Sequence, residues 1–188
     1  LREDFETNRS RIQGYISFHE RADPAFRELL SLIDSAGRAD VADDSIHRLL
    51  WVLYNFPPYD PTLGTLDDLI SSGNLTLIRD ESLRIGLAQF QRHVTTLDVG
   101  ARYGEEYWGS EMVPLFRDRV AMRDMFAEYL VVQPSRFSTD TDDLLQDRRF
   151  ENQVVPPWSL GLDIFALASS VVVSAELVLR RIDAATGN

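Results

Sequence analysis

The sequence predicts an all-α fold, an antiparallel bundle of long, proline-kinked helices with short helices at a capped polar corner. Three observations lead to this prediction. Apolar residues recur in alternating steps of three and four along two long stretches, which is the spacing of packed helices, and each stretch contains an interior proline. The third observation is a final stretch that is apolar over much of its circumference, as expected for a central helix.

The first long helix is predicted from about Arg2 to Ser35. Its apolar positions keep one phase across Asp23-Pro24, so we expect a single kinked helix rather than two independently oriented ones. The seam of this packed helix, which includes the polar residues Asn8 and His19, consists of Phe5, Asn8, Ile12, Tyr15, His19, Ala22, Phe26, Leu29 and Ile33.

A second, shorter helix follows a predicted loop at residues 37–43. Asp43 or Asp44 can cap its beginning, because an aspartate side chain accepts hydrogen bonds from the first free amides of a helix. The helix is expected to end before Pro57.

The corner is the stretch in which a short helix ends and a long one begins. Thr65 and Asp68 form a T-x-x-D pattern, a carboxylate variant of the capping box, so a short helix should begin at Thr65. It should end at about Ser72, with Gly73 as a left-handed C-cap. A brief apolar connector follows, and Asp80 can cap the next helix.

The second long helix continues past Pro114, because its apolar positions again keep one phase. It can pack antiparallel to the first long helix. Helical turns are predicted at residues 120–132 and a loop at residues 134–141. The apolar positions are Leu83, Leu87, Phe90, Val94, Leu97, Ala101, Gly104, Trp108, Met112 and Leu115.

The last part of the chain is predicted as a short helix and a long apolar one. Asp140 or Thr141 can cap the short helix, which should end before Pro156, and the long helix should run from Trp158 to about Ile182. The charged residues within the long helix, Asp163 and Glu176, oppose membrane insertion, because a charge near the bilayer centre costs about 2.5 to 3.5 kcal/mol. We interpret it as a central helix; a membrane span or an oligomer contact stays open.

Composition restricts the class of protein. A chain of 188 residues fits a single domain, residues 1–188, and the net charge of -11 disfavours nucleic acid and anionic lipid as partners. The absence of cysteine excludes disulfides, thiolate metal sites and cysteine nucleophiles. Because the chain begins at Leu1 without an initiator methionine, we expect any signal or anchor to lie upstream.

The residues that most often bind metals do not form a metal-binding pattern. Asp44 with His47, and Gln89 with His93, share helical faces, but a dimetal bundle needs two E-x-x-H pairs and two further glutamates. The acidic clusters lack the spacing of a calcium loop, and we attribute them to helix capping and solvation. We therefore expect neither a metal nor a cofactor. The clusters are Asp40, Asp43 and Asp44, and Asp140, Asp142 and Asp143.

His19 occupies a core position of the first helix, where burial favours the neutral imidazole. We therefore expect a structural histidine at this position. The alternative is a contact that responds to pH near neutrality.

The run L-I-S-S-G-N-L-x-L-I-R-D-x-x-L-R at residues 69–84, preceded by Asp60-Pro61-Thr62, resembles the hallmark segment of an uncharacterised family of bacterial helical domains. The resemblance extends more loosely to D-F-x-x-N-R within residues 1–33 and to residues 143–152. Members of that family usually follow a single N-terminal transmembrane helix. The resemblance implies anchoring in the membrane but no established activity.

These observations favour a non-enzymatic interaction or sensory domain without catalytic residues. We expect it at the bacterial inner membrane, on an upstream helix and facing the periplasm; a cytoplasmic orientation stays open. A protein partner or self-association is expected, without nucleic acid. The alternative is a small-ligand or anion-binding protein, or an enzyme, with a site at the corner. Its candidate residues are Ser71, Ser72, Gly73, Asn74, Arg79, Asp80 and Arg84.

Overall fold

A computed structural model describes residues 1–35 and 41–186. Within these residues the fold is an all-α bundle without strands, as predicted. The helices are α1 (Arg2–Asp34), α2 (Asp43–Tyr54), α3 (Gly64–Ser71), α4 (Glu81–Tyr107), α5 (Val113–Arg119), α6 (Met122–Met125), α7 (Ala127–Leu130), α8 (Thr141–Leu145) and α9 (Arg148–Thr186). A 3₁₀ turn at Asn74–Leu77 precedes α4, and a π-helical turn at Trp108–Met112 joins α4 to α5. Part of the predicted loop at 37–43, including Asp40, lies outside the described residues.

The chain divides into two compact units, which are described separately. The first unit contains Leu1–Phe18, Pro58–Ala101 and α9 from Asp163 onward. The second unit contains the described residues of His19–Pro57 and of Arg102–Leu162. Both α1 and α9 contribute residues to each unit. A single domain over residues 1–188 stays a prediction.

Antiparallel packing in the first unit is between α4 and α9. Gly86 lies against Val178, His93 contacts Ser174, and Gly100 lies against Ile164, so the contacts run in opposite order along the two helices. Five α9 residues on this face are fully buried: Ile164, Ala168, Val171, Ala175 and Val178.

The helices α1 and α4 run in the same direction, unlike the pairing suggested by the sequence. The Phe5 ring lies 4.4 Å from the Phe90 ring, and further along α1 Tyr15 contacts Tyr59, whose hydroxyl senses the charge of Asp98. The earlier residue of α1, Phe5, therefore lies beside Phe90, and the later residue, Tyr15, is linked to Asp98 of α4 through Tyr59, so the order is the same in both helices. The antiparallel partner of α4 in the first unit is α9, and the glycines Gly86 and Gly100 of α4 lie against its side chains.

Both long apolar stretches pass their prolines as predicted. The helix α1 is unbroken at Pro24, and the second stretch remains helical from Glu81 to Arg119. The π-helical turn ends just before Pro114. Proline has no amide hydrogen and its ring clashes with the carbonyl four residues earlier, so the wider turn lets the helix continue at this point.

An aromatic cluster forms part of the core of the second unit. The Tyr54 ring lies 5.3 Å from the rings of Trp108 and Phe116 and 5.7 Å from that of Phe126. The Trp108 indole N–H donates a 2.5 Å hydrogen bond to the Tyr54 carbonyl, which satisfies a group at the end of α2. Gly104 is required nearby, because a Cβ at this position would lie 2.6 Å from the Phe56 ring.

Three predicted helix boundaries are wrong. The short helix at the corner begins at Gly64 after Leu63, so Thr65 lies within its first turn and makes no capping bond. Asp43 and Asp44 lie in the first turn of α2 rather than at its N-cap, which is Ala42. In both places a carboxylate near the helix start acts through the dipole instead of through a cap.

The third wrong boundary concerns the last helix. It begins at Arg148, not Trp158, and continues through Pro156 and Pro157. Phe150 and Val154 are fully buried, so packing of the residues before the prolines favours the helical conformation. The predicted cap at Asp140 is confirmed, because its side chain accepts a 2.9 Å hydrogen bond from the Asp143 amide.

Candidate functional site

The corner, residues 71–84, has the backbone that the sequence predicts. Gly73 is left-handed with φ 73°, and the helix before it ends at Ser71 with Ser72 as its C-cap. Asp80 caps α4, since its Oδ1 accepts a 3.0 Å hydrogen bond from the Leu83 amide. The predicted stop and start at the corner are therefore confirmed.

Several polar side chains of the corner bond to the backbone of the same segment. The Ser72 hydroxyl donates to the Asp68 carbonyl at 2.6 Å, and Arg84 Nη1 donates to the Ile78 carbonyl at 2.6 Å. The Asp80 carboxylate occupies the N-terminus of α4, where an anion would have to compete with it. Ser71, Asn74 and Arg79 are exposed. A ligand site at the corner stays a prediction.

Two stretches of the family resemblance meet in the first unit. Asn8, which is 1% exposed, donates from Nδ2 to the Thr62 carbonyl at 2.7 Å and accepts from the Thr62 amide at 2.8 Å. Arg11 Nη1 donates to the Asp60 carbonyl at 2.8 Å and to the Thr62 hydroxyl at 3.1 Å. Side chains of α1 therefore hold the backbone of Asp60-Pro61-Thr62. Sequence reasoning did not find this role of Asn8.

A cavity of about 250 Å³ lies beside this contact in the first unit. The rings of Tyr15 and Tyr59, 5.6 Å apart, form part of its wall. The hydroxyl oxygen of Tyr59 is buried and has no hydrogen-bond partner among the described residues. Burial and the charge of Asp98 raise the pKa of Tyr59, so its hydroxyl stays protonated.

His19 is a buried, neutral histidine in the second unit, as expected. It is 8% exposed, and its ring lies against Gly161. Burial lowers the pKa of His19 from 6.5 to about 4, because the charged imidazolium is poorly solvated there. A group with this pKa does not change its charge near neutrality, so the alternative of a neutral-pH sensor is not supported.

The other two histidines each contact one hydroxyl group. His47 Nε2 lies 3.3 Å from Thr139 Oγ1, and His93 Nδ1 lies 3.1 Å from Ser174 Oγ. The Ser174 hydroxyl contacts the carbonyl of Ser170 at 2.8 Å, within its own helix. No group of three or more histidine, aspartate or glutamate residues with metal-site geometry occurs in the described part of the chain.

Residues of the acidic clusters have structural contacts in the second unit. Asp43 accepts a 2.7 Å hydrogen bond from the Thr141 hydroxyl, and Asp140 caps α8. Arg119 pairs with Asp143 and Asp147. The hydrogen bond from the Arg149 amide, followed by the contact with Arg119, lowers the pKa of Asp147. These contacts support our interpretation that the acidic clusters cap helices and are solvated.

An exposed group of large apolar side chains lies in the second unit and was missed by sequence reasoning. We call Tyr129, Leu130, Val131, Val132 and Phe137 the apolar segment; all five are exposed. Val131 is 91% exposed and left-handed, with φ 48° and ψ 48°. The sequence contains a signal for this segment. Residues 129–132 are four consecutive apolar residues, and this run does not follow a helical period.

A small pocket of about 160 Å³ adjoins the apolar segment. Tyr129 stacks on Trp51 in its wall, with ring centroids 4.3 Å apart and an interplanar angle of 15°. Asp44, His47 and Asp124 also line it. The stack holds one end of the apolar segment against α2 while the residues after Tyr129 face solvent.

In the described residues, α9 is the helix whose length and apolar composition would allow it to cross a membrane. Its most apolar face, which includes Ile164 and Val171, is fully buried within the first unit. This face is that of a core helix, whereas 39% of its most apolar stretch as a whole is buried. The neighbouring apolar residues Phe165 and Val172 are partly exposed.

Comparison with protein-family models, with curated proteins and with solved structures finds no match for the chain. The resemblance of residues 69–84 to the bacterial family therefore stays a prediction.

Proposed function

We propose that the chain is a non-enzymatic interaction domain that binds a protein partner through the apolar segment. The observation that supports this proposal is the exposure of Leu130, Val131 and Val132 in succession, with Phe137 close in sequence. Single exposed apolar residues are common on soluble proteins, whereas a group of them marks an interaction site.

The backbone of Val131 is a second reason to assign the apolar segment to binding. A β-branched residue in the left-handed region is strained by about 1 to 2 kcal/mol. Its side chain gains no burial in return, since it is almost fully exposed. The left-handed conformation ends α7, where the Val131 amide bonds to the Ala127 carbonyl, but glycine or asparagine would adopt it with less strain. A role in binding accounts for a valine at this position.

Attachment to the membrane is the second part of the proposal. The resemblance of residues 69–84 supports an upstream transmembrane helix at the bacterial inner membrane, with this domain in the periplasm. In the full-length gene product, the domain should sediment with membranes and be released by detergent but not by high salt. Release by salt alone would contradict an integral anchor.

Orientation can be measured by cysteine labelling, because residues 1–188 contain no cysteine and the full-length protein without the substitution gives the background signal. Ser72, which is exposed, can be replaced in a Ser72→Cys variant of the full-length protein. A membrane-impermeant maleimide should label this variant in cells with a permeabilised outer membrane. Labelling only after lysis would place the domain in the cytoplasm.

Binding through the apolar segment is tested with a photo-crosslinking amino acid at Phe137, in the cells that naturally make the protein. The matched control is the same amino acid at Leu77, an exposed apolar residue of the corner. We expect a discrete adduct with another protein from Phe137 and none from Leu77. No adduct from Phe137 would contradict the assignment, and an adduct of twice the chain mass would identify self-association.

The alternative is an anion or small-ligand site at the corner. The exposed guanidinium of Arg79 next to Asp80 is the feature that favours it. Titration with inorganic phosphate, followed by NMR, should then shift the amides of residues 73–80 in the native protein but not in Arg79→Ala. An unchanged spectrum at millimolar phosphate would remove phosphate-like anions as ligands.

A further inference from the structure

We propose that the cavity of the first unit binds a small zwitterion of the α-amino acid class, with a compact apolar side chain. Ile12, Tyr15, Pro58, Tyr59 and Pro61 provide apolar and aromatic walls, and one guanidinium and one carboxylate lie among the lining residues. This site is independent of the apolar segment and of membrane attachment. Either proposal can fail without the other.

The cavity is held open by hydrogen bonds that its walls make to each other. Asn8 pairs with both backbone groups of Thr62, and Arg11 Nη1 bonds to the Asp60 carbonyl and the Thr62 hydroxyl. Residues 58–62 are therefore fixed to α1 at several points. A preformed cavity binds a ligand without the entropy cost of ordering a loop.

Charged groups at the cavity define the head group of the ligand. All hydrogen bonds between Arg11 and other described residues use Nη1 as the donor. Nε and Nη2 of Arg11 therefore have no hydrogen-bond partner among the described residues. That edge of a guanidinium matches the two oxygens of a carboxylate. The Asp60 side chain is 85% exposed, and its carboxylate suits an ammonium group.

The sign of the charges favours a zwitterion over a simple anion. Asp60 Oδ2 lies 3.4 Å from Arg11 Nη1, so a ligand with only a carboxylate would meet one favourable and one unfavourable charge. The net charge of -11 also repels free anions from the chain. A molecule with both charges is complementary to both groups.

The walls and volume define the remainder of the ligand. The hydroxyl oxygens of Tyr15 and Tyr59 are buried in the protein, so a ligand meets the tyrosine rings rather than these oxygens. An enclosed apolar cavity of about 150 Å³ accommodates benzene. A cavity of about 250 Å³ is therefore large enough for one branched aliphatic or single-ring side chain with its head group.

The proposal is tested by NMR titration of the whole chain with three probes that differ by one group. L-leucine has both charges, 4-methylpentanoate lacks the ammonium, and 3-methylbutylamine lacks the carboxylate. We expect saturable binding of L-leucine that shifts the resonances of Tyr15 and Tyr59. Each analogue should bind at least about tenfold more weakly than L-leucine. Equal binding of all three, or no saturable binding of L-leucine, would overturn the proposal.

Two substitutions assign the charges to their partners. Arg11→Gln should weaken L-leucine and 4-methylpentanoate about tenfold and should strengthen 3-methylbutylamine, whose ammonium no longer meets a like charge. Asp60→Asn should weaken L-leucine and 3-methylbutylamine and should strengthen 4-methylpentanoate, whose carboxylate no longer meets a like charge. Arg9→Gln is the matched control, because Arg9 is exposed on the same helix and does not line the cavity. The same loss in Arg9→Gln would show a general charge effect and overturn the site.

A last variant separates contact with the ligand from support of the wall. Thr62→Val removes the hydroxyl to which Arg11 donates but keeps the guanidinium. Binding of L-leucine within about twofold of the native value would support direct contact by Arg11. Loss of binding in Thr62→Val equal to that in Arg11→Gln would show that Arg11 only holds the wall, and would overturn its assignment to the carboxylate.

Discussion

The corner and the apolar segment are both exposed irregular stretches next to short helices, but the fold uses their side chains differently. At the corner, Ser72 and Arg84 donate to carbonyls of their own segment and Asp80 caps α4. In the apolar segment, Val131 gains no burial and remains strained. The difference teaches that polar residues concentrated at helix ends are explained first by capping, whereas burial does not explain the apolar side chains of Leu130, Val131 and Val132.

Buried side chains such as His19 and Asn8 should affect stability more than exposed side chains of the corner. The largest expected effect is the pH dependence due to His19. Its pKa is 6.5 when unfolded and about 4 when folded, so the unfolded chain binds more protons between these values. Stability should therefore fall as the pH decreases from 6.5, by up to about 3 kcal/mol in total.

The measurement is the urea midpoint of the native protein and of His19→Gln at several pH values from 7 to 5. The native protein should lose stability over this range relative to the variant, because the variant has no imidazole to protonate. Parallel curves would mean that His19 is solvated in the folded protein, and its interpretation as a core histidine would fail.

Asn8 should have the next largest effect. Asn8→Ala leaves the amide and carbonyl of Thr62 without their partners, which should cost about 2 kcal/mol. The matched variant at the corner is Ser72→Ala, which removes one exposed hydroxyl and should change stability by less than about 0.5 kcal/mol. Urea unfolding of both variants compares them directly. Similar losses would show that the corner depends on its side chains as strongly as the buried contact does.

A smaller effect separates the two capping predictions at the corner. Asp80→Ala removes an observed cap and should cost about 1 kcal/mol, whereas Thr65→Ala removes no capping bond and should leave stability nearly unchanged. Thermal unfolding provides the measurement. A greater loss from Thr65→Ala than from Asp80→Ala would restore the capping box that the structure contradicts.

Much of the helical fold was predictable because its signal is periodic and local. Positions such as Leu87, Val94 and Leu97 are fully buried as their spacing predicts, and the caps at Gly73 and Asp80 depend only on nearby residues. The beginning of α9 was not predictable in the same way. Pro156 and Pro157 are local stop signals, and burial of Phe150 and Val154 outweighs them.

The candidate sites were less predictable because they depend on distant pairs and on exposure. Asn8 and Thr62 are 54 positions apart, and no periodicity relates them. The sequence placed Asn8 on a packed face but did not show what it bonds. The sequence predicted a helical turn at Val131. Its exposure depends on which other residues of the second unit cover α7, and a local pattern does not contain this information. Local patterns therefore predicted structure better than contacts between distant segments.

The most direct test of the account is the yield of the crosslinked adduct from Phe137 in Val131→Asp, compared with that in Leu77→Asp. Aspartate tolerates the left-handed region better than valine, so Val131→Asp should not lower stability. We predict that the adduct falls at least about tenfold in Val131→Asp and is unchanged in Leu77→Asp. An unchanged yield in Val131→Asp would contradict the assignment of the apolar segment as the binding surface.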